Sequence, residues 1–246
     1  MMAIELIAEV ATNHGGCLDL AKEFIWRFAE AGADWVKFQH TRVKHLRPDD
    51  PQHAWFQRAE FSCDQFAELK AECERAGTNF LTTVYNPQDV PEVVGLGVEA
   101  IKIGSGEARE VDLAFAIVRA GVKRALVGCG LLRQREQAAI AGHSLRIDYL
   151  HCVTRYPCPP ALARHAYMPW GSLEYRCGWS DHCIGLDGCQ LAILDGASVI
   201  EKHVQLPNQA RPQKCYEATV EEFKALRAFA DEDPVKKYIG RWQWST

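Results

Sequence analysis

The sequence predicts a (β/α)₈ barrel, an α/β fold of the TIM type, and three observations carry that expectation. Short apolar runs alternate strictly with amphipathic stretches, the pattern of a parallel sheet covered by helices. The strand-like runs number eight, each followed by a candidate helix, which argues for closure into a barrel. A length of 246 residues suits one such barrel, spanning 1–246 as a single unit. The alternative, an open doubly wound sheet, calls for a glycine-rich phosphate loop after the first strand. The stretch VATNHGG lacks the GxGxxG spacing.

The elements follow in order. Residues 4–10 read as strand one and 18–31 as a helix ended by Gly32. Residues 34–38 form strand two, followed by a polar loop with Pro48 and Pro51 and a helix over 64–76 that Gly77 terminates. Strand three is 79–83, and the helix over 87–96 opens with proline in its first turn. Strand four is 99–103, and the helix over 112–120 stops at Gly121. Residues 124–128, 147–153 and 175–179 read as strands five to seven, with helical segments near 134–141 and 161–168 between them. A helix over 185–195 closes at Gly196, strand eight covers 197–203, and a last helix covers 220–229. The tail DEDPVKKYIGRWQWST is polar and aromatic, suited to covering the barrel or meeting another subunit, so a homodimer is compatible with the sequence.

Composition narrows the function class. A net charge of −4 gives no reason to expect nucleic acid or an anionic membrane as partner. No apolar run reaches the roughly 18 residues needed to span a bilayer. The N-terminus lacks a basic segment followed by a long apolar one, so a cytoplasmic location is the default expectation. Ten cysteines lie scattered, without a CxxC pair. They are expected to be reduced, buried small hydrophobes rather than a disulfide scaffold or a zinc ribbon.

The functional argument rests on polar residues at the C-terminal ends of the strands. Strand one ends with Glu9, then Asn13 and His14. Strand two carries Lys37 and Gln39, strand three Thr82 and Thr83, and strand four Lys102, then Ser105 and Glu107. Strand six carries His151 and Thr154, strand seven runs into Ser180, Asp181 and His182, and strand eight ends Glu201-Lys202-His203. In a closed barrel these ends share one rim, where such folds hold their active sites. Lone histidines there are usually structural, but His182 and His203 on adjacent strand ends suit a first-row metal, with Asp181 or Glu201 available to orient a ring. Lys37 and Lys102 inside apolar strands are the strongest anomaly, because lysine is rarely buried without a partner. They suggest an anionic ligand such as phosphate or carboxylate, helped by Ser105-Gly106; the plain alternative is salt bridges to Glu9 and Glu107.

The pieces IAEVATNHGG, AGADWVKFQ, FLTTVYNP, IKIGSGE, YLHCVTRYP, GWSDHCIGL and GASVIEKH, in this order, resemble the N-terminal barrel of the sialic acid (nonulosonic acid) synthases. That family joins phosphoenolpyruvate to the open-chain aldehyde of an N-acylated amino sugar and releases phosphate. The resemblance implies a divalent metal, manganese first and magnesium or cobalt next, on His182 and His203. It puts phosphoenolpyruvate on Lys37, Thr83, Lys102, Ser105 and Ser180, with Thr154 where the family usually has Asn or Ser. It puts Glu9, Glu107 and Glu201 around the reacting centre, with Gln39 and Asp181 among the binding residues.

Three departures stand out. The family's second, antifreeze-like domain is expected to be missing, since only a short tail follows the last helix. A Ser-Thr-Gly after strand five is replaced by Gly128-Cys129-Gly130. An acidic residue after strand eight is replaced by Lys214, near Arg211. Arg211 and Lys214 donate hydrogen bonds and bring positive charge, so they are expected to take a negatively charged acceptor. The competing expectations are a metal-dependent aldolase or lyase on the same barrel, and a barrel that only binds a ligand.

Overall fold

A computed structural model describes residues 3–132, 138–159, 162 and 176–232. Eight strands close into one barrel in sequence order: β1 (Glu5–Ala11), β2 (Trp35–His40), β3 (Asn79–Val84), β4 (Ile101–Ile103), β5 (Arg124–Gly128), β6 (Arg146–Cys152), β7 (Arg176–Asp181) and β8 (Val199–His203). All pairings are parallel, and β8 returns to β1. The helices are α1 (Leu18–Glu30), α2 (His53–Ala59), α3 (Cys63–Ala76), α4 (Val90–Gly95), α5 (Val111–Arg119), α6 (Asp187–Leu194) and α7 (Val220–Asp231). The predicted barrel is the observed one.

Side chains alternate along each strand. Ile7, Trp35, Leu81, Ala100, Leu126, Leu150 and Val199 meet as a buried cluster that plugs the barrel interior. One pleat step toward the N-terminal mouth, Arg124 bridges Glu5 and Asp148 at 2.7 and 2.5 Å. One step the other way lie Glu9, Lys37, Thr83, Lys102, Ser180 and Glu201, all buried. The opposite faces of the strands pack against the helices, through clusters such as Phe24, Phe28, Val36, Phe38 and Phe223. The apolar plug therefore forces the chemistry to the C-terminal mouth.

Local signals explain the helix boundaries. Ser62 and Thr219 each form a capping box, with Gln65 and Glu222 respectively, and Gly77 ends α3 in the left-handed conformation. The helix expected over 87–96 is instead a 3₁₀ turn, Pro87–Asp89, followed by α4. Pro91 lacks the N–H that would continue one helix and so restarts the second. Strand four is shorter than expected, because the connection from α4 continues to residue 100.

The polar loop expected after strand two contains α2. This helix has no side-chain cap and is fastened by tertiary contacts, with Trp55 Nε1 donating to Thr12 Oγ1 at 3.1 Å. Propensity alone does not stabilise so short a helix. Residues 138–141 of the segment expected to be helical near 134–141 form turns. The rest of that segment, the segment 161–168 apart from Leu162, and the tail from 233 on lie outside the described residues. The nine cysteines whose side chains are described are all free. No described helix is long and apolar enough to cross a membrane.

The turn after β1 lets α2 come close. Gly16 has φ +83°, and a Cβ there would lie 2.0 Å from the Arg58 carbonyl oxygen. Gly16→Ala is expected to destabilise the protein by about 2 kcal/mol or more, from left-handed strain of about 1 kcal/mol plus displacement of α2. Urea denaturation measures this, and an unchanged midpoint would show that α2 does not depend on the contact.

Candidate active site

Lys37 sits at the centre of the C-terminal mouth. Its Nζ lies 3.1 Å from Glu9 Oε2 and 3.0 Å from Glu201 Oε2, and 3.4 Å from Thr83 Oγ1. Lys102 Nζ approaches Glu201 Oε1 at 3.4 Å, and Ser180 Oγ donates to the same oxygen at 2.7 Å. Gln39 donates to Glu9 Oε1 at 3.3 Å. Register produces this convergence, because Glu9 is paired with Lys37, Thr83 with Lys102, and Ser180 with Glu201 on adjacent strands. The Oε2 atoms of Glu9 and Glu201 face Lys37 but accept no well-aligned hydrogen bond, so buried acceptor capacity remains unused.

The two carboxylates have opposite characters. Burial pushes the Glu9 carboxyl up to about 7 against the pull of Lys37. Burial also works to raise Glu201, but Lys102 and Lys37 outweigh it and hold Glu201 far below the usual carboxylate range. Lys37 itself is raised, since Glu201 and Glu9 overcome its burial. One carboxyl thus exchanges protons near neutrality while the other stays a fixed anion, a division of roles that acid–base chemistry uses.

Beyond this layer stand two imidazoles. His182 and His203 have ring centroids 5.5 Å apart, and His182 Nδ1 lies 2.8 Å from the Val153 carbonyl oxygen. That carbonyl fixes the tautomer and leaves Nε2 with its lone pair. Burial lowers the pKa of His182. Burial, then His182 and Lys37, lower that of His203 well below the ordinary value. Both shifts favour the neutral ring, the form that ligates metals. Among the described residues no three His, Cys, Asp or Glu side chains are grouped to hold a metal. The donor set is a two-imidazole one, and it fits a divalent first-row cation. Tyr156 lies over His182 with centroids 3.9 Å apart, and Tyr216 stands edge-on to His203 at 5.6 Å.

A parallel barrel with this mouth matches the NeuB family over residues 24–231. The chain belongs to the NeuB family. It is 29% identical over 226 residues to the N-acetylneuraminate-9-phosphate synthase of Drosophila melanogaster, covering 83% of this chain and 60% of that one. It is 31% identical to the N,N'-diacetyllegionaminic acid synthase of Legionella pneumophila, covering 82% of this chain and 64% of that one. The chain thus spans less than two thirds of the length of either relative. A crystal structure of N-acetylneuraminic acid synthetase from Leptospira borgpetersenii, in complex with citrate, superposes with a TM-score of 0.83 at 24% identity over 97% of this chain and 86% of that one.

In this NeuB-family barrel the remaining expected residues fall into three places. Ser105 Oγ accepts from Gly130 N at 3.1 Å and touches Cys152 Sγ at 3.1 Å, with the exposed Thr154 alongside Gly130. Glu107, half-buried beside Gly104, is raised by burial. Arg211 and Lys214 line a separate cavity with Gln52, Trp55 and Pro212.

Asp181 faces the other side of the sheet. Its carboxylate accepts from Lys202 Nζ at 2.5 Å and Trp179 Nε1 at 2.7 Å, beneath Gly188 of α6. The period of two explains this, since Ser180 and His182 point inward and Asp181 between them points out. The expected lysine–glutamate pairs also differ in part. Lys37 does meet Glu9, but Glu201 is its second partner and that of Lys102.

Three residues went unassigned in the sequence reading. Tyr85, directly after β3, is raised well above its ordinary value by burial, then by Glu9, Glu107 and Glu201. Its place just past a strand end was a usable signal. Tyr156 and Tyr216 lie in loops, where spacing carries no such signal.

Glu201 neutralises two buried lysines at once. Glu201→Gln is expected to cost about 3–5 kcal/mol of stability, the usual effect of breaking a buried pair. Chemical denaturation tests it, and a loss under about 1 kcal/mol would mean the lysines find solvent without Glu201.

Proposed function

We propose that this chain condenses phosphoenolpyruvate with the aldehyde of a sugar-like acceptor, releasing phosphate and forming a 2-keto acid. The observation that carries the reading is the pairing of two buried lysines and a split carboxylate pair with two imidazoles at one barrel mouth. The names of the relatives, synthases of N-acetylneuraminate 9-phosphate and of N,N'-diacetyllegionaminic acid, support it.

Phosphoenolpyruvate brings a carboxylate and a phosphate. Lys37 and Lys102 are already desolvated, so their charge acts at low dielectric and requires little reorganisation. Thr83, Ser105 and Ser180 add hydroxyls. C3 of the enol attacks the carbonyl carbon, forming the carbon–carbon bond while the carbonyl oxygen takes a proton. Water then adds at C2 of the oxocarbenium ion and gives up a proton. The resulting hydroxyl loses its proton as the C2–O bond to phosphate breaks and the 2-keto group forms. Glu9, poised near neutrality, and Glu107 at the mouth are the groups to carry these protons. Glu201 stays ionised, opposing positive charge that develops at C2.

A divalent cation on His182 and His203, manganese first with magnesium or cobalt as alternatives, would supply Lewis acidity to the acceptor's carbonyl. Two imidazoles alone hold a metal weakly, so it should exchange readily.

Phosphate release from phosphoenolpyruvate in the presence of candidate aldoses tests the reaction. Lys37→Met and Lys102→Met should each cost about 1.5–3 kcal/mol of phosphoenolpyruvate binding by calorimetry. Unchanged affinity in both variants would make the lysines purely structural.

Manganese binding, followed by the paramagnetic resonance of the free ion, should be lost in His182→Ala and in His203→Ala. Activity should fall with chelator and return on adding metal. Indifference to both treatments would remove the cation from this account.

A further inference from the structure

Three segments distant in sequence meet beside the imidazoles. They are the turn after β1, helix α2 and the connection between β8 and α7. Gly15 (φ +54°) is the meeting point, where a Cβ would lie 2.4 Å from Ala210 Cβ and 3.2 Å from the Trp55 ring. Between α2 and the last connection opens a cavity of about 440 Å³ lined by Gln52, Trp55, Arg211, Pro212 and Lys214.

The two cations of this cavity are unlike the two lysines inside the barrel mouth. Lys37 and Lys102 are each neutralised by a carboxylate within 3.4 Å. Arg211 has no ion-pair partner among the described residues. Its guanidinium lies over the Trp55 ring at 4.4 Å and donates once, to Gln52 Oε1 at 3.1 Å. Stacking on Trp55 holds the planar group and leaves most of its five donors unspent. Lys214 likewise lacks an ion pair among the described residues. Only its backbone is fastened, with its N–H donating to Glu217 Oε2 at 2.9 Å.

That fastening is itself anchored. Glu217 is buried and also accepts from Asn13 Nδ2 at 3.1 Å and Gln209 Nε2 at 3.2 Å. The loop that presents Arg211 and Lys214 is thus pinned to the turn after β1. Tyr216, on the same loop as Arg211, stands 5.6 Å from the His203 ring. It links the cavity to the imidazole pair along one rim.

We infer that this cavity is a subsite for an anionic group, a phosphate or a carboxylate, carried by the acceptor at the end remote from its aldehyde. A fixed guanidinium and an ammonium without counter-charge recognise such a group by charge-assisted, bidentate bonding. The inference rests on the condensation reading for the word acceptor; the anion site itself does not.

Two measurements test it and separate it from that reading. Calorimetry, with phosphoenolpyruvate saturating, compares a hexitol, the hexitol carrying a terminal phosphate and the matching terminal carboxylate, none of which can react. The phosphate or the carboxylate should bind at least tenfold more tightly than the neutral hexitol, and the tighter of the two names the source. Arg211→Ala with Lys214→Met should abolish the preference, and Arg211→Lys should restore part of it. In turnover, aldoses differing only in that terminal group should show the same preference in kcat/KM, expressed in KM, and the double variant should bring the ratio near one. Equal binding of charged and neutral hexitols, unmoved by the double variant, overturns the inference even if phosphoenolpyruvate releases phosphate. Charge-dependent binding without phosphate release from any aldose leaves the anion site standing and removes the condensation reading alone.

Discussion

Lys37 is the constraint around which the mouth of this barrel is organised. A buried ammonium has to be neutralised, and neutralising it fixes the positions of two carboxylates on β1 and β8, the first and last strands, which pair only because the barrel closes. Glu9 and Glu201 reach it from opposite ends of the sequence. Once there, they compete for the same positive charge. Lys102 breaks the tie by siding with Glu201, which leaves Glu9 the weaker acid. Both carboxyls are buried, and the difference in proton affinity between them comes from what surrounds each: Glu201 has two lysines and the Ser180 hydroxyl to offset its burial, and Glu9 chiefly has Lys37.

The same strand contributes to two unrelated tasks by pleat alone. On β8, Glu201 and His203 face the mouth, while Lys202 between them is buried against the helix layer with Asp181. The outward pair ties β7 to β8 at the height where His182 and His203 emerge, so the spacing of the imidazoles is supported from behind the sheet. A register slip of one residue would exchange the two roles and put Lys202 in the mouth.

Much of this was legible beforehand, for identifiable reasons. Parallel strands read as apolar runs, so Lys37 and Lys102 stood out as charges that burial would have to accommodate. The barrel followed from alternation, and the strand ends from glycine and polar punctuation. Helix α2 was not legible, since two nearby prolines obscure it and its stability comes from contacts with Thr12 and Gly16, far away in sequence. The aromatic base beneath Arg211 was hidden for the same reason. Asp181 was misread where a signal existed: counting by twos from Ser180 would have turned it away from the mouth. The partner of Lys102 could not be counted at all, because choosing between Glu107 and Glu201 requires the closed barrel.

The seam between β1 and β8 has a consequence for how the protein comes into being. Asn13 and Val204 touch across it although 191 residues separate them. Glu9 of β1 meets Lys37 and Gln39 of the neighbouring β2, but the second counter-charge of Lys37 and the other strand partner of β1 come from β8. Until β8 is in place Lys37 has half its counter-charge, and the mouth-facing layer of β1 has open sheet edge on one side. Without β8 the barrel is thus both open and short of one carboxylate at its centre. Closing the sheet and neutralising its central charge are therefore one event, carried by the same strand.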